Sequence, residues 1–283
     1  MKLRRRERGY ASVTAIAAVA VLAMFAVTMI ETNRTGIGDL SAEVEQARVS
    51  AAADAGLAMA LDGLLVKDRG GRWSIDGRTR SAEFAGSRLK IRIEDERGKV
   101  PLNLLDDEYA ERLVEVAGLA NSPRGTIAAQ SLVDWLDGDD EPHPEGAESE
   151  WYRARGIHPR NAPLQSIDEL AQIRGWDRAL VEKVRPFVTV NFGAGGFDAR
   201  YAQPKAIGVM TAGGADSPEA IQRQRELSGQ RVAIEIGEAV DLVGRPLSII
   251  VEAQRPSGAR VERRSIIELT GSPERPYLVR SYQ

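Results

Sequence analysis

Eight of the 17 residues from Asp134 to Glu150 are acidic: Asp134, Asp137, Asp139, Asp140, Glu141, Glu145, Glu148 and Glu150. Like charges this close repel one another unless water or a cation screens them. Asp137-Gly138-Asp139 can aim two carboxylates at one point, Asp140 adjoins them, and Glu148 can close the shell from downstream. Oxygen-only ligands on a flexible loop suit Ca²⁺, which takes about six to eight oxygens. The spacing is not that of an EF-hand. The charge pattern alone fits a solvated acidic loop as well as a cation site.

Other chemistries find little support. The chain has no cysteine, which excludes disulfides, thiolate metal sites and a cysteine nucleophile. Its two histidines, His143 and His158, each adjoin a proline, the setting of a surface loop. A histidine zinc site is nearly excluded. Asp134 and Glu148 could form an acid–base pair, but nothing beside them would raise one pKa and leave the other. No serine sits in a nucleophile-elbow context. The expectation is a protein that is not an enzyme.

Ser166 to Pro186 fits a helix-hairpin-helix, with Ile173-Arg174-Gly175-Trp176 as the hairpin. Such hairpins bind DNA phosphates through backbone N–H groups and nearby basic side chains, here Arg174, Arg178, Lys183 and Arg185. A membrane-tethered DNA-binding protein for DNA uptake is therefore the alternative class. The adjoining acidic loop and the absence of net positive charge argue against it, so no nucleic-acid partner is expected.

These residues need elements to carry them. With 43% hydrophobic and 28% charged residues, the 283-residue chain is neither disordered nor a multi-span membrane protein. Residues 1–9 hold five basic side chains and one acidic, a local charge of +4, which leaves −7 on the other 274. Tyr10 to Ile30 follows as 21 uncharged residues. As a helix this run spans about 30 Å, a bilayer core. The basic head should stay cytoplasmic, which places the rest on the far side. The run exceeds a usual signal-peptide core, and no small-x-small cleavage site ends it.

Beyond the membrane, Leu40, Val44, Ala47, Ala51, Ala55, Ala58, Leu61 and Leu65 recur at helical spacing, and this alanine-rich stripe is expected to pack closely on a sheet or a neighbouring helix. Gly36 and Gly38 should loosen the helix before it. Leu89, Ile91 and Ile93 alternate with charged residues as a half-buried strand, and Val100 to Leu104 reads as a second extended piece. Near the C-terminus, Val232 to Ile236, Leu247 to Val251 and Val261 to Leu269 read as strands, with Tyr277 to Val279 as an edge. Between them Asp107 to Ala120, Thr126 to Leu136, Ser166 to Arg174 and Asp177 to Pro186 read as helices, with another from Pro218 to Leu227. Strands on both sides of a helical block predict an α+β fold with an all-α domain inserted at 105–190.

Several stretches resemble a known family. Arg8-Gly9-Tyr10-Ala11-Ser12-Val13-Thr14 is similar to the leader of type IV pilins and pseudopilins. "DERGKVPLNLL" (Asp95 to Leu105), "LVDWLDGDDEPHPEGAESEWY" (Leu132 to Tyr152) and "NAPLQSIDELAQIRGWDRALVEKVRPFVTV" (Asn161 to Val190) resemble K-type minor pseudopilins of the type II secretion system. Thr14 stands where most pilins have a glutamate, an absence for which the K-type is known. The chain departs from the family over 188–230, which runs on as Val188-Thr189-Val190-Asn191-Phe192 and then Gly193-Ala194-Gly195-Gly196.

The resemblance implies a pilin-like fold, in which a long N-terminal transmembrane helix packs on an antiparallel sheet. It divides the chain into a leader (1–9), a transmembrane helix (10–30), the pilin-like helix and first strands (31–104), a helical domain of helix-hairpin-helix or SAM-like type (105–190), and a linker with the closing strands (191–283). It implies cleavage between Gly9 and Tyr10 by a prepilin peptidase, with N-methylation of Tyr10. It further implies a single-pass protein of the bacterial inner membrane with a periplasmic C-terminal domain. Its partners would be I- and J-type minor pseudopilins, the major pseudopilin and the inner-membrane secretion platform. Its place would be the pseudopilus tip, where it would initiate assembly. Calcium in the helical domain is part of the same implication, with Asp137, Asp139, Asp140 and Glu148 as the expected ligands.

Overall fold

The computed structural model describes Met24 and residues 42–66, 71–193, 195–211 and 241–282. The Gly9–Tyr10 junction, Thr14, the apolar run apart from Met24, Gly36 and Gly38, the helix expected from Pro218 and the strand expected at Val232 to Ile236 lie outside the described residues. Among those described, no helix is long and apolar enough to cross a membrane.

Helix α1 covers residues 42–65. It lies on a sheet ordered β1 (Arg80–Phe84), β2 (Ser87–Asp95), β5 (Pro246–Gln254), β6 (Arg260–Leu269) and β7 (Tyr277–Tyr282), each pair antiparallel. Alternation along β2 does what its sequence predicts: Leu89, Ile91 and Ile93 are fully buried and face Ala253, Val251 and Ile249 across the β5 register. Burying each such side chain contributes about 1.5–3 kcal/mol.

The helix is where it was expected, but it is turned. Its buried face is Val49, Ala52, Ala53, Leu57, Ala60 and Leu64. Of the predicted stripe, Val44, Ala47, Ala51, Ala58 and Leu65 are exposed, and Ala55 and Leu61 half-buried. Alanine lies on both faces, so periodicity alone does not choose between them. Steric fit does, because a β-carbon at Gly56 would come within 2.6 Å of the Val251 side chain. Only the glycine face can approach the sheet this closely.

Between β2 and β5 the chain builds a second core. It passes through β3 (Val100–Pro101), α2 (Asp107–Val114, with a π turn on to Leu119), α3 (Pro123–Leu136), α4 (Ser149–Arg153), a 3₁₀ segment (Ile167–Gln172), α5 (Arg178–Val184), β4 (Val188–Thr189) and α6 (Pro204–Met210). Val100 to Leu104 is thus one short strand and a 3₁₀ turn rather than a continuous extended piece. The parallel pairing of β3 with β4 brings the start of the helical block beside its end. Ala202, Ala206, Ile207 and Val209 pack in the same core, so the helical unit reaches past the expected boundary at 190.

Buried charges fasten this unit to the sheet. Arg245, at the start of β5, bonds Asp95 at the end of β2 and Asp198 at 3.1 Å. Arg97 and Arg200 also reach Asp198, at 3.4 and 2.9 Å. Lys99 pairs with Glu96 at 2.5 Å and with Glu94 at 3.3 Å, and Ser248 donates to Glu96.

Candidate metal centre

Helix α3 starts on a strong signal. Ser122 accepts the Gly125 N–H at 3.0 Å, and Pro123 stands at the first helical position. Asp134 falls in its last turn and Asp137 is the residue that ends it. Glu148 stands before α4, where one carboxylate oxygen accepts the Ser149 N–H at 3.3 Å.

Each acid near a helix end has an aromatic anchor close by in sequence. Trp135 follows Asp134, Tyr152 lies one turn beyond Glu148, and the two rings meet edge-to-face at 4.9 Å. Tyr152 is fully buried, and its hydroxyl accepts the Arg174 N–H at 3.2 Å. Trp176 donates to the Ala128 carbonyl at 2.9 Å, clamping the α5 side onto α3. This packing forces the two acids together.

The result is a cluster of Asp134, Asp137 and Glu148, each offering a carboxylate oxygen within 4.8 Å of the others. Asp134 is fully buried and Glu148 is 5% exposed. One oxygen of each of the three is buried without a hydrogen-bond partner. Buried polar atoms are nearly always satisfied, and an orphaned carboxylate oxygen is costly. Burial, then Asp134 and Asp137, push the Glu148 carboxyl up to about 7. Burial, then Asp139 and Asp134, raise Asp137. The residues present therefore fit a hard divalent cation: all donors are oxygen, negative and otherwise unpaired.

Of the four expected ligands, the structure brings Asp137 and Glu148 into the cluster. Asp139 and Asp140 are exposed and fall outside it. Asp139 caps its own loop by accepting the Glu141 N–H at 2.9 Å, and Asp140 accepts from Asn161 at 3.4 Å. Asp134 belongs to the cluster, although the sequence reading places it in the acidic run and in a conceivable acid–base pair with Glu148, not among the ligands. Its position within a helix, one turn before Asp137, was the available signal. His143 is not a plain surface residue either. It is half-buried against Asp134, and the bond to that carboxylate raises its pKa.

The basic residues proposed for phosphate are partly spoken for. Arg174 donates to the Glu145 and Gly146 carbonyls at 3.2 and 2.8 Å. Arg185 is bonded to Glu182 and Asp168. Arg178 and Lys183 are exposed.

Residues 96–192, which contain the whole cluster, match the family model described as type II secretion system protein K. Over that segment the chain resembles type II secretion system protein K. It is 35% identical over 103 residues to type II secretion system protein K of Klebsiella pneumoniae, covering 35% of this chain and 30% of that one. It is 40% identical over 60 residues to the Dickeya chrysanthemi protein of the same name, covering 21% and 16%. The chain thus matches under a third of the length of these relatives. A chain in the crystal structure of the GspK-GspI-GspJ complex from the enterotoxigenic Escherichia coli type 2 secretion system superposes with a TM-score of 0.58 at 15% identity. That match covers 86% of this chain and 97% of the other. At this identity it establishes a shared fold: mixed helix and antiparallel sheet, with a helical unit between the strands.

Proposed function

We propose that this chain is a K-type minor pseudopilin: a structural, non-catalytic subunit that assembles with I- and J-type minor pseudopilins at the tip of a type II secretion pseudopilus and initiates its assembly. The observation that carries the reading is the joining of a protein K domain at 96–192 to a long helix on an antiparallel sheet. A bulky helical unit beside such a sheet is hard to stack along a filament and fits at its end. The likeness to a chain of the GspK-GspI-GspJ complex supports I- and J-type proteins as partners. On this reading α1 continues the transmembrane stem Tyr10 to Ile30. The prepilin peptidase cuts after Gly9 and methylates Tyr10, and the folded part is periplasmic, near the major pseudopilin and the inner-membrane platform. The fold is then pilin-like.

Within this function, Asp134, Asp137 and Glu148 hold Ca²⁺. The ion supplies the positive charge that the cluster lacks and ties the end of α3 to the start of α4.

Mass spectrometry of the natural protein from membranes tests the anchoring. A mature start at N-methyl-Tyr10 is expected, and a periplasmic species lacking the apolar run would overturn it. Co-expression with I- and J-type proteins tests the assembly, because a ternary complex should co-purify. Failure of both partners to bind would remove the tip reading.

A further inference from the structure

The geometry points to His143 as the positioning residue that aims Asp134 into the cation cluster. This rests on the cation reading above and adds to it a residue that contributes no ligand atom. A carboxylate on a helix can rotate about its last bond, so something must fix its plane. His143 does so with two donors on one oxygen. Its backbone N–H reaches Asp134 Oδ1 at 3.2 Å, and its ring Nδ1 bonds the same atom. The other oxygen, Oδ2, is left buried and without a partner, in a residue with no exposed surface. That oxygen is the one free to serve an ion.

The turn around His143 is built for this grip. Gly146 N–H closes it onto the His143 carbonyl at 2.9 Å. A β-carbon at Gly146 would lie 1.9 Å from Asp134 Oδ2 and 3.1 Å from the His143 β-carbon, so the turn surrounds the carboxylate with no room to spare. Arg174 and Gln130 hold the turn from outside, Arg174 through the Gly146 carbonyl and Gln130 by accepting the Glu145 N–H at 2.8 Å. The far ring nitrogen, Nε2, lies 3.2 Å from Asp107 at the start of α2, which fixes the ring's own plane. The order is a relay of orientation: Asp107 sets the imidazole, and the imidazole sets Asp134.

A histidine that merely tied loop to helix would show in stability and not in affinity. The test uses the full-length chain in detergent, with Ca²⁺ titrated by calorimetry and the Ca²⁺-free melting temperature recorded for each variant. His143→Ala keeps the backbone donor and removes the ring. His143→Asn places an amide nitrogen where Nδ1 was and gives up only the contact with Asp107. Hydrogen bonds to charged groups are strong enough that His143→Ala should weaken Ca²⁺ binding by about tenfold or more. His143→Asn should stay near wild type in affinity and in Ca²⁺-free melting temperature, whereas His143→Ala, which also takes a donor from the buried Asp134 carboxylate, should melt lower as well. Unchanged affinity in His143→Ala, or equal weakening in His143→Asn, overturns the positioning role while the cation reading stands. A wild-type chain that binds no Ca²⁺ overturns both.

Discussion

Among the described residues, two groups of buried charge are built on opposite rules. At the junction of sheet and helical unit, Asp95, Glu96 and Asp198 each accept from a cation or a hydroxyl, and Arg245 alone joins two of them. In the helical unit, Asp134, Asp137 and Glu148 converge with a buried oxygen apiece that nothing satisfies. The carboxylates of the junction are paired as folded. The cluster is complete only with something added. Burying charge is tolerable when it is paired, so the same residue type marks a structural lock in one place and, in the other, the cation site proposed above.

The contrast breaks most visibly at Arg245. Arg245→Met takes the guanidinium away from the buried Asp95, which keeps the Arg97 N–H, while Asp198 keeps Arg97 and Arg200; removing one partner of a buried pair costs about 3–5 kcal/mol. Denaturant unfolding should show that loss equally with Ca²⁺ or with chelator. If Ca²⁺ restored the stability, the two regions would not be independent. The cluster should respond the other way round. For the wild type, Ca²⁺ at a hundredfold excess over its Kd should add about 2.7 kcal/mol. Asp137→Asn should abolish that gain while leaving the Ca²⁺-free protein no less stable than wild type, because it removes one of three repelling charges. A clear loss of Ca²⁺-free stability would mean that Asp137 has a partner in the fold. Gly146→Ala comes next. The added carbon overlaps Asp134 Oδ2, and overpacking of this kind costs about 1–3 kcal/mol. Its Ca²⁺-induced rise in melting temperature should vanish too.

The same contrast explains what could be read from the sequence. Strand β2 was legible because period-two alternation admits one buried face, while α3 was read only from Thr126, its Ser122 cap and first turn being missed. The face of α1 was not, because alanine on both sides makes two stripes equally apolar. Gly56, not the stripe, selects the buried one. Strand β1, α4 and α6 were missed because five to seven residues carry too few turns or alternations to register. In the acidic loop, charge density pointed to the stretch that holds the carboxylate cluster but could not rank its members. Asp139 and Asp140 look like ligands in one dimension, yet the loop turns them to solvent. Asp134 looks like part of α3, yet the Trp135–Tyr152 contact draws Glu148 onto it. Long-range packing, absent from any local pattern, chose the members of the cluster.

The smallest effect is the dependence of stability on pH, and it separates the two regions by sign. The Glu148 carboxyl titrates at about 7 in the folded protein, against an ordinary value of 4.5. A raised carboxyl binds its proton more tightly when folded. Its penalty is therefore fully present above about pH 7 and is relieved as pH falls toward the ordinary value. The metal-free protein should melt at a higher temperature at pH 5.5 than at pH 8. At the junction Asp95 is raised by burial, whereas Arg200 and Arg245 outweigh burial at Asp198 and lower it, so their slopes oppose one another. Glu148→Gln should remove the Glu148 part of the trend and leave the part of the same sign that His143, raised by Asp134, contributes. With Ca²⁺ bound the wild-type slope should reverse, since protons then compete with the ion for the same oxygens. Scanning calorimetry across that range, with and without Ca²⁺, reads both slopes. A metal-free protein that loses stability on acidification between pH 8 and 5.5 would show that the cluster's charges are already paired within the fold.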